Sequence, residues 1–325
     1  MCRLHQKIEQ MWWSNDQPSA LLRAASHVYK IINRHNLNSR KKRSISPSLP
    51  MISVGNITVG GSGKTPFAIW LATLLKAEGF KPVILCRGDG GKGGNPELLT
   101  DSSNPLQVGD EAVLLHQKSG CPVISGHGRI QAAKMAQDYG NIMILDDGFQ
   151  YLQLKRVCDI VLIPAEGVGN GHLIPAGPLR ESVEALKRAD LVIRTGKTNQ
   201  TEPLTQGKEW RWWCHDNQLN QIVGPQHEKP KKAVALTAIA RPGRFFQSLE
   251  ELGVDIVKSY TFPDHHLFST DDIQQVLAHH EAVIVTTKDA VKLQSIWPAG
   301  RPLWVLEQRA EAEPGLFEAI KDFIR

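Results

Sequence analysis

Met51-Ile52-Ser53-Val54-Gly55-Asn56-Ile57-Thr58-Val59-Gly60-Gly61-Ser62-Gly63-Lys64-Thr65-Pro66 passes from a short apolar run into a glycine-rich loop that ends in Lys-Thr. The next residues, Phe67-Ala68-Ile69-Trp70-Leu71-Ala72-Thr73-Leu74-Leu75, have the composition of a helix. Buried strand, glycine loop, Lys-Thr, helix is the context that makes such a loop a phosphate cradle. Glycines let backbone N–H groups turn inward, the helix N-terminus adds partial positive charge, Lys64 adds a full one, and Thr65 can hold Mg²⁺. The usual pattern has glycine five residues before Gly63, where this chain has Thr58. A glycine-rich strand–helix turn with no ligand is the competing explanation of the loop taken alone.

With 325 residues, the expectation is two domains or one large α/β domain. An apolar content of 41% with 22% charged residues is ordinary for a globular chain, and no apolar run approaches the ~20 residues of a membrane span. The start, Met1-Cys2-Arg3-Leu4-His5-Gln6, is too polar for the core of a signal peptide. Five scattered cysteines without a Cys-x-x-Cys pair point to free thiols in a reducing compartment. Residues 1–44 hold nine Lys/Arg against Glu9 and Asp16, a balance of +7 in a chain whose total is +5. The remainder is therefore slightly acidic. This is unlike a nucleic-acid binder, whose basic residues spread over the folded body.

Asp16-Gln17-Pro18-Ser19 resembles a helix start, after which Leu21, Ala25, Val28 and Ile32 form one apolar stripe. Arg23, His27, Lys30 and Arg34 lie largely off it, and Arg40-Lys41-Lys42-Arg43 follows. Such a helix can lie in a membrane interface, or pack on the protein body with a solvated linker behind it. Both remain open at this point.

Downstream, residues 81–87 form the next strand, ending in the glycine-rich loop 88–94 at the edge where open α/β sheets bind ligands. Gly109-Asp110-Glu111 places an acidic pair at a helix start, where a carboxylate can also be a simple cap. Residues 121–124 suggest a strand and 129–139 a helix. Asn141-Ile142-Met143-Ile144-Leu145-Asp146-Asp147-Gly148-Phe149-Gln150 is a buried strand delivering paired carboxylates to the ligand edge. That is the Walker B arrangement for Mg²⁺, although Asp-Gly also makes ordinary turns.

A strand at 158–163 opens into a long Gly/Pro loop ending in Arg180, which is placed to reach a phosphate. A helix at 183–188 and a strand at 189–194 close the alternation. Residues 197–230 are polar, carry Trp210, Trp212 and Trp213, and read as a strand pair between domains. From 233 the alternation resumes: strands at 233–239, 254–260, 282–286 and 303–306, and helices at 244–251, 271–279 and 314–324. Phe262-Pro263-Asp264-His265-His266 lies in a loop where an Asp-His pair could do acid–base work. The twelve histidines show no His-Glu-x-x-His spacing.

Taken together, these segments resemble the tetraacyldisaccharide 4′-kinases of lipid A synthesis. The likeness rests on the glycine loop, Gly109-Asp110-Glu111, Asp146-Asp147-Gly148-Phe149-Gln150, Gly169-Asn170-Gly171 with Pro175-Ala176-Gly177-Pro178-Leu179-Arg180-Glu181, Ile239-Ala240-Arg241-Pro242 with Arg244-Phe245-Phe246, Phe262-Pro263-Asp264-His265-His266, and Lys288-Asp289-Ala290-Val291-Lys292. The family loop also lacks the early glycine, so Thr58 counts in favour of the match.

The resemblance implies a P-loop NTPase-like, mostly parallel α/β core at 45–196 and a smaller α/β domain at 231–325 whose last helix can pack on the core. It also implies a strand-pair linker at 197–230 and a basic amphipathic membrane segment at 1–44. It implies ATP and Mg²⁺ as cofactors and an acylated glucosamine disaccharide as lipid acceptor. The setting would be peripheral, on the cytoplasmic face of a bacterial inner membrane with an anionic surface, with neither nucleic acid nor an obligate protein partner.

By position, Thr58, Val59, Gly60, Gly61, Ser62, Gly63, Lys64 and Thr65 would hold the nucleotide. Thr65 with Asp146, Asp147 or Glu111 would hold the metal. Asp110, aided by His265, would be the base, and Lys64 and Arg180 would steady phosphate charge. Asn56, Arg87, Arg129, Gln150, Tyr151 and Asn170 are candidates for contacts to the acceptor.

Three departures stand out. Asp89 replaces a tyrosine in Cys86-Arg87-Gly88-Asp89, Tyr151 replaces a histidine, and Thr287 replaces a glutamate. The alternative is a nucleotide-switch module. Guanine readers carry Asn/Thr-Lys-x-Asp, however, and Thr287-Lys288-Asp289 lacks the spacer.

Overall fold

The computed structural model describes residues 8, 10–14, 17–198, 201–239, 242–264 and 266–325. Its first part holds α1 (Ala20–Lys42), β1 (Met51–Asn56), α2 (Lys64–Ala77), β2 (Pro82–Cys86), β3 (Glu97–Leu98), α3 (Pro105–Val108), α4 (Asp110–Ser119), β4 (Val123–Ser125), α5 (Arg129–Ala136), β5 (Ile142–Asp146), β6 (Cys158–Pro164) and β7 (Leu191–Thr195). A long strand, β8 (Glu209–Val223), leads to β9 (Lys232–Thr237), α6 (Pro242–Glu251), β10 (Asp255–Thr261), α7 (Thr270–Leu277), β11 (Ala282–Thr286), α8 (Thr287–Leu293), β12 (Leu303–Ala312) and α9 (Leu316–Lys321).

Strands with unbroken apolar runs need both faces covered, and β1, β2 and β5 are buried along their whole length. All twelve strands form one sheet in the order β10-β9-β11-β12-β8-β7-β6-β1-β5-β2-β4-β3. Its ladders are parallel except β12–β8 and β3–β4. Residues 197–230 therefore supply one strand rather than a pair. β8 begins parallel to β7, with Thr195 opposite Trp212, and continues antiparallel to β12, with Val223 opposite Leu303.

Trp210 and Trp212 turn into the core beneath α2. Trp212 meets Phe67 edge-on at 5.4 Å, and Trp70 meets Phe317 beside α9. α9 thus packs on the glycine-loop half, pinned by Lys321 Nζ to Glu78 at 2.9 Å. In the other half, alternate residues of β9 and β11 feed two clusters, one on each face.

Other elements differ from their sequence expectations for local reasons. Residues 183–188 form a 3₁₀ turn; the run is only six residues long and Ser182 supplies no side-chain cap. Arg40, Lys41 and Lys42 fall in the last turn of α1, where cations favour the helix C-terminus, rather than in a linker behind it. α1 is capped by Ser19 and faces the protein with its polar side. Ser26 Oγ donates to Leu173 O at 2.5 Å, and Tyr29 Oη and Asn33 Nδ2 both donate to Arg180 O. The apolar stripe points outward, with Leu21 80%, Val28 57% and Ile32 55% exposed, and Ile31 beside it is 64% exposed. No helix of the described residues is long and apolar enough to cross a membrane.

Candidate active site

β1 ends at Asn56, and the chain turns at once into the glycine loop. Asn56 Nδ2 donates to Ser62 Oγ at 2.7 Å, spanning the loop, while Gln150 Nε2 donates to Asn56 O at 2.8 Å. The outer side is pinned by Val59 N to Pro178 O and Arg180 N to Ile57 O, both 2.7 Å. Gly63 has φ +77°, which side chains rarely adopt, and a Cβ there would also crowd the Trp212 ring at 3.2 Å. Gly63 also leaves α2 without a side-chain cap, so its first turn faces the loop uncapped, as an anion site requires. Among the described residues, Thr58 Oγ1 and Asn56 Oδ1 are buried without hydrogen-bond partners.

β5 lies beside β1 in register, with Asp146 opposite Val54, so the paired aspartates arrive next to the loop. Their environments push them apart. Asp147 takes a left-handed backbone (φ 48°), unusual for a residue with a side chain, and its carboxylate meets Arg180 Nη1 at 2.9 and 3.0 Å and Lys64 Nζ at 3.6 Å. Burial would raise it, but Lys64, then Arg180, then Arg129 hold it well below the usual carboxylate range. Asp146 has no such pairing. Burial, followed by the charge of Glu111, pushes it up to about 7, with Lys64 and Arg129 only partly opposing. Its Oδ1 is buried without a hydrogen-bond partner among the described residues.

That orphaned oxygen, with the Thr65 hydroxyl in the first turn of α2, suits a hard cation held by one or two protein ligands and phosphates. Among the described residues no three His, Cys, Asp or Glu side chains form a closed metal cage. Of the other metal candidates, Asp147 is engaged by the two cations, and Glu111 by Lys288 at 3.0 Å.

The acidic pair comes from α4. Gly109 (φ +93°) admits no Cβ, which would lie 2.7 Å from Asp89 O, and its turn sets Asp110 in the first helical turn, buried. Gly109 rather than Asp110 is the N-cap, and Asp110 Oδ1 accepts from Glu111 N at 2.9 Å. From the opposite half, α8 brings Lys288 to Glu111 at 3.0 Å and to Asp264 at 3.1 Å. Burial would lower Lys288, but Glu111, Asp110 and Asp264 overcome it and hold the ammonium above its ordinary range.

Lys64, Thr65, Asp110, Glu111, Asp146, Asp147 and Arg180 thus gather around the loop and the seam between the halves. Arg129 sits behind them, donating to Asp147 O at 3.0 Å with its guanidinium over the Tyr151 ring. Gln150 braces the loop and Glu181, so it acts as scaffold. Arg87 is exposed and pairs with Asp89. Asn170 is spent on backbone, donating to Met11 O and Ala176 O. His265 lies outside the described residues. Sequence reasoning gave Lys288 and Lys292 no role, and took Asp264 only as half of an Asp-His pair in a loop. No helix was expected at 287–293; a four-residue spacing puts two lysines on one face only where the chain is helical, and nothing local says what they meet.

A model of the tetraacyldisaccharide-1-P 4′-kinase family matches residues 18–325. The chain belongs to the tetraacyldisaccharide 4′-kinase family. Its relatives include the tetraacyldisaccharide 4′-kinase of Methylobacillus flagellatus, 37% identical over 96% of this chain and 94% of that one. The enzyme of the same name from Idiomarina loihiensis is 42% identical over 76% of this chain and 75% of its own. Among solved structures, LpxK from Aquifex aeolicus in complex with ATP aligns with TM-score 0.76 at 26% identity, covering 93% of this chain and 98% of that one. As a member of this family the chain is a lipid A-pathway kinase, a phosphotransferase on the α/β fold described above. Family membership also sets aside the nucleotide-switch alternative.

The two aspartates give a pH signature. Asp146 prefers its proton in the folded protein up to about 7, against about 3.9 for an ordinary aspartate. Between these values the folded state holds the extra proton, so this group subtracts stability as pH rises and its full cost is present at pH 8. In nucleotide-free protein, Asp146→Asn should therefore be more stable than the parent at pH 8 by ~2–4 kcal/mol, and nearly equal at pH 4. Urea unfolding at the two pH values measures this, and an equal difference at both would contradict it.

Proposed function

We propose that the chain transfers the γ-phosphate of ATP to the 4′-hydroxyl of a tetraacylated glucosamine disaccharide 1-phosphate, at the cytoplasmic face of the inner membrane. The observation that carries this is the meeting, in a member of this family, of an uncapped glycine-loop helix with two cations on Asp147 and the buried Asp110. The Asp147 carboxylate balances the positive charges of Lys64 and Arg180, and both cations would serve the phosphate oxygens. Thr65 and Asp146 would hold Mg²⁺, which supplies charge neutralisation on the phosphates.

A sugar hydroxyl is a weak nucleophile, so Asp110 chiefly orients it and accepts its proton as the P–O bond forms. His265, next to Asp264, would assist. Arg129, fixed on the Asp147 carbonyl, keeps the aspartate turn in place.

The acceptor is a lipid, and α1 suits a membrane surface. Its polar side is committed to the protein, which leaves Leu21, Val28, Ile31 and Ile32 outward with Arg23, Lys30, Arg34 and the basic last turn around them. Each basic residue near an anionic leaflet contributes ~1 kcal/mol, and apolar burial adds to it.

With Mg²⁺-ATP and the disaccharide acceptor, purified protein should give product phosphorylated at the 4′ position. Asp110→Asn should lower turnover by ~10²-fold or more. ATP hydrolysis without transfer to the lipid would overturn the proposal. On the membrane side, Val28→Asp with Ile32→Asp touches only exposed positions, so folding stability should stay within ~0.5 kcal/mol of the parent. Co-sedimentation with anionic vesicles should be lost; unchanged sedimentation would assign α1 no membrane role.

A further inference from the structure

Behind the acidic pair of α4 lies a buried charge relay that belongs to the other half of the molecule. Asp289 on α8 is fully buried, and its Oδ2 accepts from Thr237 Oγ1 at 2.8 Å, Ala238 N at 3.1 Å and Thr286 Oγ1 at 2.7 Å. Those three donors sit at the ends of β9 and β11, so this carboxylate is fixed by the sheet itself. Its second oxygen, Oδ1, lies 3.1 Å from Lys292 Nζ one turn along α8. The same ammonium stands 3.8 Å from Asp110 Oδ2 and 5.1 Å from the centre of the Phe268 ring.

The lysine and aspartate side chains are almost completely removed from water, 4% exposed for Lys292 and 5% for Asp110. Lys292 makes no aligned hydrogen bond to either carboxylate, so it is not locked to Asp289 alone. One positive charge is thus shared by two buried negative ones, in surroundings where charge interactions are far stronger than in water. The two Asp110 oxygens are also distinguished: Oδ1 accepts from Glu111 N, and Oδ2 faces Lys292.

We propose that Lys292 is a positioning residue for phosphoryl transfer: anchored on the sheet by Asp289, it fixes the Asp110 carboxylate from across the seam between the two halves. This rests on Asp110 acting as the base. Lys288, four residues earlier, hydrogen-bonds Glu111 at 3.0 Å, so one helix presents a cation to each member of the acidic pair. The base is then correctly placed only when α8 and α4 are seated together.

A buried lysine flanked by two carboxylates could instead serve stability alone, and the test must separate the two roles. Transfer kinetics and thermal midpoints are measured on full-length Lys292→Met, on Asp289→Asn with Lys292→Met, and on Asp110→Asn. The double variant removes one buried charge of each sign, so it should recover most of the midpoint lost in Lys292→Met and remain usable if the single variant folds poorly. Its kcat should nevertheless stay ~10²-fold below the parent, with KM for ATP within about twofold, because a slightly misplaced base costs turnover and not nucleotide binding. A folded double variant with kcat within about threefold of the parent, while Asp110→Asn is inactive, would overturn the assignment. Full turnover in Asp110→Asn would remove the base itself, and the role of Lys292 with it.

Discussion

β8 is shared between two ladders, parallel to β7 at its start and antiparallel to β12 beyond it, and this fixes where the second half of the molecule can stand. A flexible linker would leave the halves free to rotate. A continuous sheet does not. The residue that changes ladders is Trp212, which pairs with Thr195 on one side and Ala312 on the other while its ring packs on Phe67 and against Gly63. The strand that sets the second half is therefore seated on the glycine loop. Lys118 to Glu307 at 2.6 Å and Lys288 to Glu111 at 3.0 Å close the seam with charge.

Within that frame the chemistry depends on unequal treatment of similar groups. Asp146 and Asp147 are neighbours in sequence, yet the left-handed backbone at Asp147 carries its carboxylate to Lys64 and Arg180 while Asp146 stays behind in the strand. One is held ionised by two cations and the other is left short of charge. Asp110 and Glu111 are divided in the same way, the first buried toward Lys292 and the second half-exposed toward Lys288. Groups whose environments differ this strongly can take different roles at one pH.

Much of this was legible in the sequence because it is local. The apolar run ending at Asn56, the glycines around Lys64 and the strand running into Asp146 each signal their conformation within a few residues. What was not legible depends on distant partners. Residues 209–223 are polar and tryptophan-rich, and nothing in them states that their antiparallel neighbour lies ~90 residues further on. Lys288 and Lys292 carry the right spacing for one helix face, but only the sheet reveals that this face looks at Asp110 and Glu111. For α1 the apolar stripe was readable and its direction was not. Ser26, Tyr29 and Asn33 find backbone carbonyls at 173 and 180, and these bonds turn the polar side inward.

The candidate site draws charged residues from both halves, with ion pairs between side chains across the seam. The most direct test is a double-mutant cycle on kcat/KM for phosphoryl transfer, using Glu111→Gln and Lys288→Met singly and together. If the halves cooperate through this contact, the effects should be non-additive by ~1 kcal/mol or more. Additivity within ~0.5 kcal/mol would contradict a site assembled across the seam.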